Sequence, residues 1–189
     1  TDEVTEEGGE KLTDMEPAEI KDAVVADMNE LTSVNMTGEM MSDGEQIRLD
    51  LSLDTDGRCT GSMQVRGGSA SIISDGQDDY LKGDEQFWIA SSGGSAPPEA
   101  LDMFVGKWMK SPGTGNFGEF CDLNNLLEDF NSGGSADFEI EGTSVVNGRE
   151  AAQLSTSDGT SILVGNAGPH HILRMSTEGT EAGDYAVDA

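Results

Sequence analysis

Apolar and polar side chains alternate strictly along residues 46–66, and this pattern restricts the possible folds more than any other feature. A period of two residues is typical of a strand with one buried face and one solvated face. The Asp56-Gly57 pair favours a tight turn between two such strands. The inward positions are Ile47, Leu49, Leu51, Leu53, Cys59, Gly61, Met63 and Val65. One face of this hairpin must therefore be covered by another layer of the protein.

The hairpin belongs to a longer run of strands that are connected by short turns. Glycine-containing turns separate five predicted strands, at residues 33–41, 46–54, 58–66, 69–74 and 79–82. Connections this short cannot form the crossover that joins two parallel strands, so we expect an antiparallel meander. A helix that begins at Glu16-Pro17 precedes the strands. Its apolar stripe consists of Ile20, Val24, Met28 and Leu31.

Helices are predicted in the middle of the chain, and strands return after them. The helical segments lie at residues 84–90, after Pro97, and within 117–130. We expect residues 84–130 to cover the dry face of the hairpin. The later strands are predicted at 137–146, 149–156, 160–165 and 170–176, with a final edge strand at 185–187. This order indicates an α+β fold, in which one antiparallel sheet has its helices on one side.

Composition limits the number of domains and the class of partner. A chain of 189 residues is expected to form one domain, at residues 15–189, after a flexible acidic tether at residues 1–14. The net charge of −27, from 37 acidic and 10 basic residues, opposes nucleic acid binding, which needs clustered Lys and Arg. No apolar run approaches the roughly 20 residues of a membrane helix. We expect a monomer without a nucleic acid partner.

Cys59 and Cys121 are the only cysteines of the chain. A disulfide between them would connect the hairpin to the most apolar predicted helix and would indicate an oxidising compartment. The alternative is two unrelated buried thiols. A disulfide removes both thiols as nucleophiles, and the chain has no Gly-x-Ser-x-Gly elbow. We therefore expect no catalytic residues and no enzymatic activity.

Three short motifs resemble known binding sites, but their context argues against each. Residues 113–118 match the dinucleotide fingerprint, but no buried parallel strand is predicted before them. His170 and His171 are neighbours on a predicted strand, so their rings point to opposite faces and cannot hold one metal ion. Residues 54–57 resemble the start of a calcium loop, but Val65 stands where the bidentate glutamate should be. We expect neither a cofactor nor a metal.

The strongest candidate site is an apolar set that the sheet and the helical middle share. Its members are Leu49, Leu51, Met63, Val65, Phe87, Trp88, Leu101, Phe104, Trp108, Phe117 and Phe120. In closed contact these residues form an ordinary core. If the sheet curves away from the helices, the same residues line a cavity for a hydrophobic ligand. The pattern is compatible with both arrangements.

Four motifs resemble those of actinobacterial cell-surface lipoproteins. They lie at residues 80–84 with Phe87-Trp88, at 106–110, at 121–127 and at 147–151, and the resemblance covers roughly residues 17–176. These lipoproteins are similar to the mycobacterial lipid carriers LppX and LprG and, more remotely, to the lipoprotein carriers LolA and LolB.

This resemblance implies a half-barrel of antiparallel strands wrapped over helices, with an apolar cavity for acyl chains. It also implies attachment to the outer face of the plasma membrane through a lipidated cysteine upstream of Thr1. We therefore expect an exported domain, lipid-anchored or secreted, that binds or carries a lipid or other hydrophobic ligand. The alternative is a cell-envelope lipoprotein for protein interaction, sensing or regulation, with a filled core and no ligand.

Overall fold

The computed structural model describes residues 10–42, 44–110, 121, 123–124, 138–156, 159–178 and 182–188. Within these residues the helices are a 3-10 helix (Leu12–Asp14), α1 (Pro17–Asn29), α2 (Glu85–Ser91) and α3 (Pro98–Phe104). The strands are β1 (Ser33–Ser42), β2 (Glu45–Asp54), β3 (Arg58–Val65), β4 (Gly68–Asp75), β5 (Asp79–Gly83), β6 (Met109–Lys110), β7 (Glu139–Val146), β8 (Arg149–Ser155), β9 (Thr160–Gly165), β10 (Ile172–Thr177) and β11 (Gly183–Asp188). In this part of the chain, no helix is both long enough and apolar enough to cross a bilayer.

The strands form one open antiparallel sheet, in the order β6-β5-β4-β3-β2-β1-β11-β10-β9-β8-β7. Strands β1 to β5 pair consecutively, so the predicted meander is confirmed. Ile47 opposes Val65 and Leu53 opposes Cys59, which keeps the apolar positions of the hairpin on one face. Leu51 and Leu53 are only 1% and 2% exposed, so this face belongs to the core.

Strand β11 lies in the middle of the sheet, and the expectation of an edge strand at residues 185–187 is wrong. It pairs with β1 on one side and with β10 on the other, so it joins the two halves of the sheet. Gly38 of β1 opposes Tyr185 of β11. A Cβ atom on Gly38 would lie 2.7 Å from Cδ1 of Tyr185, so the glycine makes room for the tyrosine ring.

Helix α1 covers part of the inner face of the sheet. Its apolar stripe is confirmed by Ile20, Val24 and Met28, whose exposed fractions are 0%, 1% and 2%. The backbone N–H of Ile172 donates a hydrogen bond to Sδ of Met28 at 3.3 Å, so α1 contacts the start of β10. Helix α1 therefore shares the covering role that the sequence assigned to residues 84–130.

Helix α2 is seated on two glycines of the sheet. A Cβ atom on Gly68 would overlap the backbone nitrogen and Cα of Phe87, and one on Gly83 would overlap the Phe87 ring. Asp84 caps the helix, since its Oδ1 accepts from the N–H of Phe87 at 2.7 Å. Its Oδ2 accepts from the N–H of Ser69 at 3.0 Å. The start of α2 is thus fixed directly to β4 and β5.

Residues 10–14 are docked on the domain, although they fall within the expected tether. Leu12 has no exposed surface and belongs to the core. Its N–H donates to the carbonyl oxygen of Asn166 at 2.8 Å, and the N–H of Thr13 donates to Oδ1 of Asn166 at 3.2 Å. The acidic composition predicted a solvated segment, but one leucine and these hydrogen bonds hold its last residues against the sheet.

Cys59 and Cys121 form a disulfide, with their Cα atoms 5.1 Å apart. Both half-cystines are buried, and Leu123 has no exposed surface. The side-chain amide of Asn124 donates to the carbonyl oxygen of Thr55 at 2.9 Å. These residues therefore lie against the turn end of the β2–β3 hairpin. The rest of the helix predicted within 117–130 lies outside the described residues.

Candidate functional site

The candidate residues on the sheet and α2 belong to the core or pack against it. Leu49, Leu51 and Phe87 are 7%, 1% and 3% exposed. The partly buried members that pack against the core are Met63, Val65 and Trp88. These six residues form a closely packed inner layer.

The candidate residues of α3 and β6 are more exposed. Leu101 and Phe104 are half-buried, and Trp108 is 45% exposed. The remaining two candidates, Phe117 and Phe120, lie outside the described residues. The apolar set therefore extends from the buried inner layer to the protein surface.

Helix α3 is attached to the inner layer through α2 and the end of β5. The rings of Trp88 and Phe104 have centroids 5.6 Å apart. Nε1 of Trp88 and the backbone N–H of Gly106 both donate to the carbonyl oxygen of Gly83, at 3.2 and 3.0 Å. These contacts place Phe104 at the outer end of a row of contacting rings that begins at Phe87.

Glycines with positive φ flank α3 on both sides. Gly93 and Gly94 precede it with φ of 72° and 85°, and Gly106 follows it with φ of 69°. These backbone conformations are unfavourable for other residues. No residue of α3 is buried. The helix is therefore a thin outer layer, with permissive glycines before its Pro97-Pro98 start and after its end.

A second candidate site is a cleft of about 600 Å³ on the opposite, polar face of the sheet. It crosses β3, β2, β1, β11 and β10, where the side chains form cross-strand rows. One row is formed by Gln64, Arg48, Glu39 and Asp184. Among the described members of the apolar candidate set, only Leu49 contributes to this cleft. A smaller cleft of about 310 Å³ lies beside it, near the turn ends of β1 and β10.

Two ion pairs neutralise the carboxylates of Glu39 and Asp184 in this polar cleft. Glu39 and Asp184 oppose each other across β1 and β11, an arrangement that like charges normally disfavour. Nε of Arg48 lies 3.1 Å from Oε2 of Glu39. Nε of Arg174 donates to Oδ1 of Asp184 at 2.7 Å, and this hydrogen bond lowers the pKa of the Asp184 carboxyl. Each carboxylate is therefore compensated by the arginine on its outer side.

The polar cleft was not predicted from the sequence. The alternation places Arg48 and Asp50 on the outer face of β2, and this signal is local. Arg174 and Asp184 reach the cleft because β11 inserts beside β1, and no short-range pattern predicts that pairing.

His170 is buried and hydrogen-bonded to other parts of the domain. It is 7% exposed, its backbone N–H donates to Oδ2 of Asp27 at 2.6 Å, and its Nδ1 lies 2.9 Å from the same oxygen. Its Nε2 lies 3.2 Å from the carbonyl oxygen of Glu10. The ring therefore joins α1 to the docked N-terminal segment. Burial lowers the pKa of the neighbouring His171, to which Arg149 also contributes.

Two other short motifs that resemble binding sites lie at residues 54–57 and 113–118. Oδ1 of Asp54 accepts the backbone N–H groups of Asp56 and Arg58, both at 2.9 Å, and Oδ2 lies 2.8 Å from Nε of Arg58. The carboxylate of the calcium-like segment is thus engaged by its own turn. Among the described residues, no group of three or more His, Cys, Asp or Glu side chains could hold a metal ion. The glycine-rich segment 113–118 lies outside the described residues.

Comparisons with known proteins show a similarity of fold. No family model and no curated protein matches the chain. The crystal structure of LprF from Mycobacterium bovis is 12% identical, with a TM-score of 0.60, and the match covers 91% of each chain. An uncharacterised conserved protein from Thermus thermophilus is 12% identical with a TM-score of 0.36, covering 90% of this chain and 83% of that one. The MucA/MucB complex of Pseudomonas aeruginosa is 11% identical with a TM-score of 0.37, covering 91% and 56%.

Proposed function

We propose that this protein is a non-enzymatic, exported lipoprotein domain that binds or carries a hydrophobic ligand, such as an acyl chain, between the sheet and the helices. The observation that carries the proposal is the continuous apolar path from the core to the surface. It runs from Phe87 through Trp88 to Phe104, and the exposed Trp108 follows in the chain. Pockets for small ligands are mostly apolar, and this path has that character.

In this proposal α3 is the cover of the ligand site. Because no residue of α3 is buried, moving it away would disrupt few core contacts. The positive-φ glycines on both sides supply the backbone freedom for such a movement. An acyl chain would then enter between α3 and Trp88, in contact with Phe104, and extend toward Met63 and Val65. Burial of each methylene would contribute about 0.8 kcal/mol.

The proposed location rests on the disulfide and on the sequence resemblance. A disulfide between buried cysteines is typical of proteins from oxidising compartments. The fold similarity to LprF supports a sheet and helix arrangement of the half-barrel type, although a shared fold does not by itself imply a shared function. Attachment through an upstream lipidated cysteine is part of the same proposal.

Binding of a fluorescent fatty acid analogue tests the ligand site. We expect Phe104→Glu to weaken binding about tenfold, because a charged group would replace one apolar side chain of the site. Met103→Glu is the matched control, since Met103 is the preceding residue of α3 but is 63% exposed. We expect this control to bind like the wild type.

The same preparation, analysed by native mass spectrometry, should contain co-purified acyl species. If the wild type binds neither the analogue nor any co-purified lipid, the carrier proposal is wrong. Equal binding by the two glutamate variants and the wild type would instead place any ligand away from α3.

A second candidate function is protein interaction through the polar face, and the compact inner layer together with the polar cleft favours it. A partner would contact the exposed guanidinium groups of Arg48 and Arg174. We expect the double variant Arg48→Gln, Arg174→Gln to recover at least tenfold less partner from envelope extracts. Arg58→Gln is the control, because Arg58 is also ion-paired but lies at the β2–β3 turn. Equal recovery by all three proteins would exclude this face.

A further inference from the structure

The surface around α3 differs in chemistry from the rest of this acidic molecule. The chain has five lysines, and three of them, Lys82, Lys107 and Lys110, lie on or next to β5, α3 and β6. The same region presents three exposed large apolar side chains. They are Met103, Val105 and Trp108, with exposed fractions of 63%, 37% and 45%.

Two of these lysines have no carboxylate partner among the described residues. Nζ of Lys82 lies 5.9 Å from the centroid of the Trp108 ring, and Nζ of Lys107 donates to the backbone carbonyl of Asp102 at 2.9 Å. Lys110, in contrast, pairs with Asp78 at 2.6 Å. The other cations with described ion pairs are Lys11, Arg48, Arg58, Arg66 and Arg174. Ammonium groups that can bind an external anion are therefore placed beside exposed apolar side chains.

From this combination we propose that Lys82, Met103, Val105, Lys107 and Trp108, here called the α3 patch, dock on the surface of a phospholipid bilayer. Tryptophan is enriched at the membrane interface because its ring is apolar and its N–H is polar. Lysine ammonium groups there bind lipid phosphates while their stems contact apolar surface. The patch offers both kinds of group in one region.

The charge of the whole protein determines the orientation of docking. The net charge of −27 keeps most of the surface away from an anionic bilayer, so docking is restricted to the region that holds Lys82 and Lys107. Glu99 and Asp102 are exposed on α3 as well. The two lysines therefore offset local carboxylates, and the apolar side chains supply most of the affinity.

The inference extends the proposed function, because it places the cover of the ligand site at the membrane from which an acyl ligand would come. Membrane docking itself needs no bound ligand. Vesicle binding and fatty acid binding are therefore separate measurements, and either can fail while the other succeeds.

The test uses the two tryptophans of the chain. The variant Trp88→Phe leaves Trp108 as the single tryptophan. Circular dichroism and thermal unfolding of this variant verify that it is folded. The probes are vesicles of phosphatidylcholine and phosphatidylglycerol, with and without bromine-labelled acyl chains. We expect the Trp108 emission to shift to shorter wavelength on binding and to be quenched by the brominated chains.

Further variants in this background identify the binding surface. Met103→Ser and the double variant Lys82→Gln, Lys107→Gln should each weaken vesicle binding about tenfold. Val145→Ser is the control, since Val145 is 73% exposed on β7, a strand at the far edge of the sheet. An unquenched Trp108, or an equal loss of binding in Val145→Ser and Met103→Ser, would overturn the proposal. If quenching persists in a Phe104→Glu background, the protein still docks on vesicles when fatty acid binding is weakened. The two activities would then be separate.

Discussion

Gly68→Ala is expected to destabilise the protein by about 3 kcal/mol, the upper range for adding one methyl group to a packed interior. The added Cβ atom would overlap the backbone nitrogen and Cα of Phe87. Backbone atoms at the start of a capped helix cannot rotate away, so α2 must shift as a whole from β4. Urea unfolding followed by circular dichroism measures the effect. Ser69→Ala is the matched control, because Ser69 is exposed on the same strand and its side chain makes no described contact.

Gly83→Ala provides a sharper comparison with Gly68→Ala. At Gly83 the closest atom to the added Cβ would be Cδ1 of the Phe87 ring, which is a side-chain atom. Phe87→Ala should therefore relieve much of the cost of Gly83→Ala and little of the cost of Gly68→Ala. A double-mutant cycle should show a coupling free energy of about 1–3 kcal/mol for the first pair alone. The seating of α2 on Gly68 would be refuted if Gly68→Ala unfolded at the same urea concentration as Ser69→Ala.

The parts of the fold that could be predicted depend on local sequence patterns. The alternation around Leu51 places one residue in two on the same face, and glycine-containing turns determine the sequence in which β1 to β5 pair. The stripe of Ile20, Val24 and Met28 likewise predicts the buried side of α1 from its spacing alone. In these elements the chemistry of neighbouring residues is sufficient, because pairing partners are adjacent in the chain.

The central position of β11 could not be predicted in the same way. Its pairing joins Asn35 to Asp188, two residues that are 153 positions apart in the chain. Only Tyr185 and Val187 are apolar inward residues of this short strand, which resembles a fraying edge. Its place depends on the width of the sheet and on Gly38 in β1, which accommodates the tyrosine ring.

The apolar spacing of α3 does not determine whether its apolar side is buried or exposed. Leu101, Phe104 and Val105 lie at helical spacing, which predicts a side that packs on the core. The structure leaves Val105 37% exposed, because α1 and α2 already cover the inner face. Sequence pattern indicates which residues can be buried together, but the available area of sheet decides which helix takes the inner position. The resulting surplus of apolar surface is the physical origin of both proposals for α3.

Loss of the disulfide is expected to cost about 4 kcal/mol, which is comparable to the whole stability of many small domains. Cys59 and Cys121 are separated by 62 residues, so the bond removes a large loop-closure entropy from the unfolded chain. It also connects β3 to the segment that contains Leu123, which has no exposed surface. We expect Cys59→Ala, Cys121→Ala to unfold at much lower urea concentration than the oxidised wild type.

Urea unfolding of the reduced wild type is the control for the double alanine variant. If the covalent link alone stabilises the domain, the reduced wild type and the double alanine variant should unfold at similar urea concentrations, and reductant should not affect the variant further. Export to an oxidising compartment would then be needed for full stability, because a reducing cytoplasm would keep both cysteines in the thiol form. Equal unfolding midpoints for the oxidised and reduced wild type would show that packing around Leu123 and the Asn124–Thr55 hydrogen bond is sufficient to hold this segment on the hairpin.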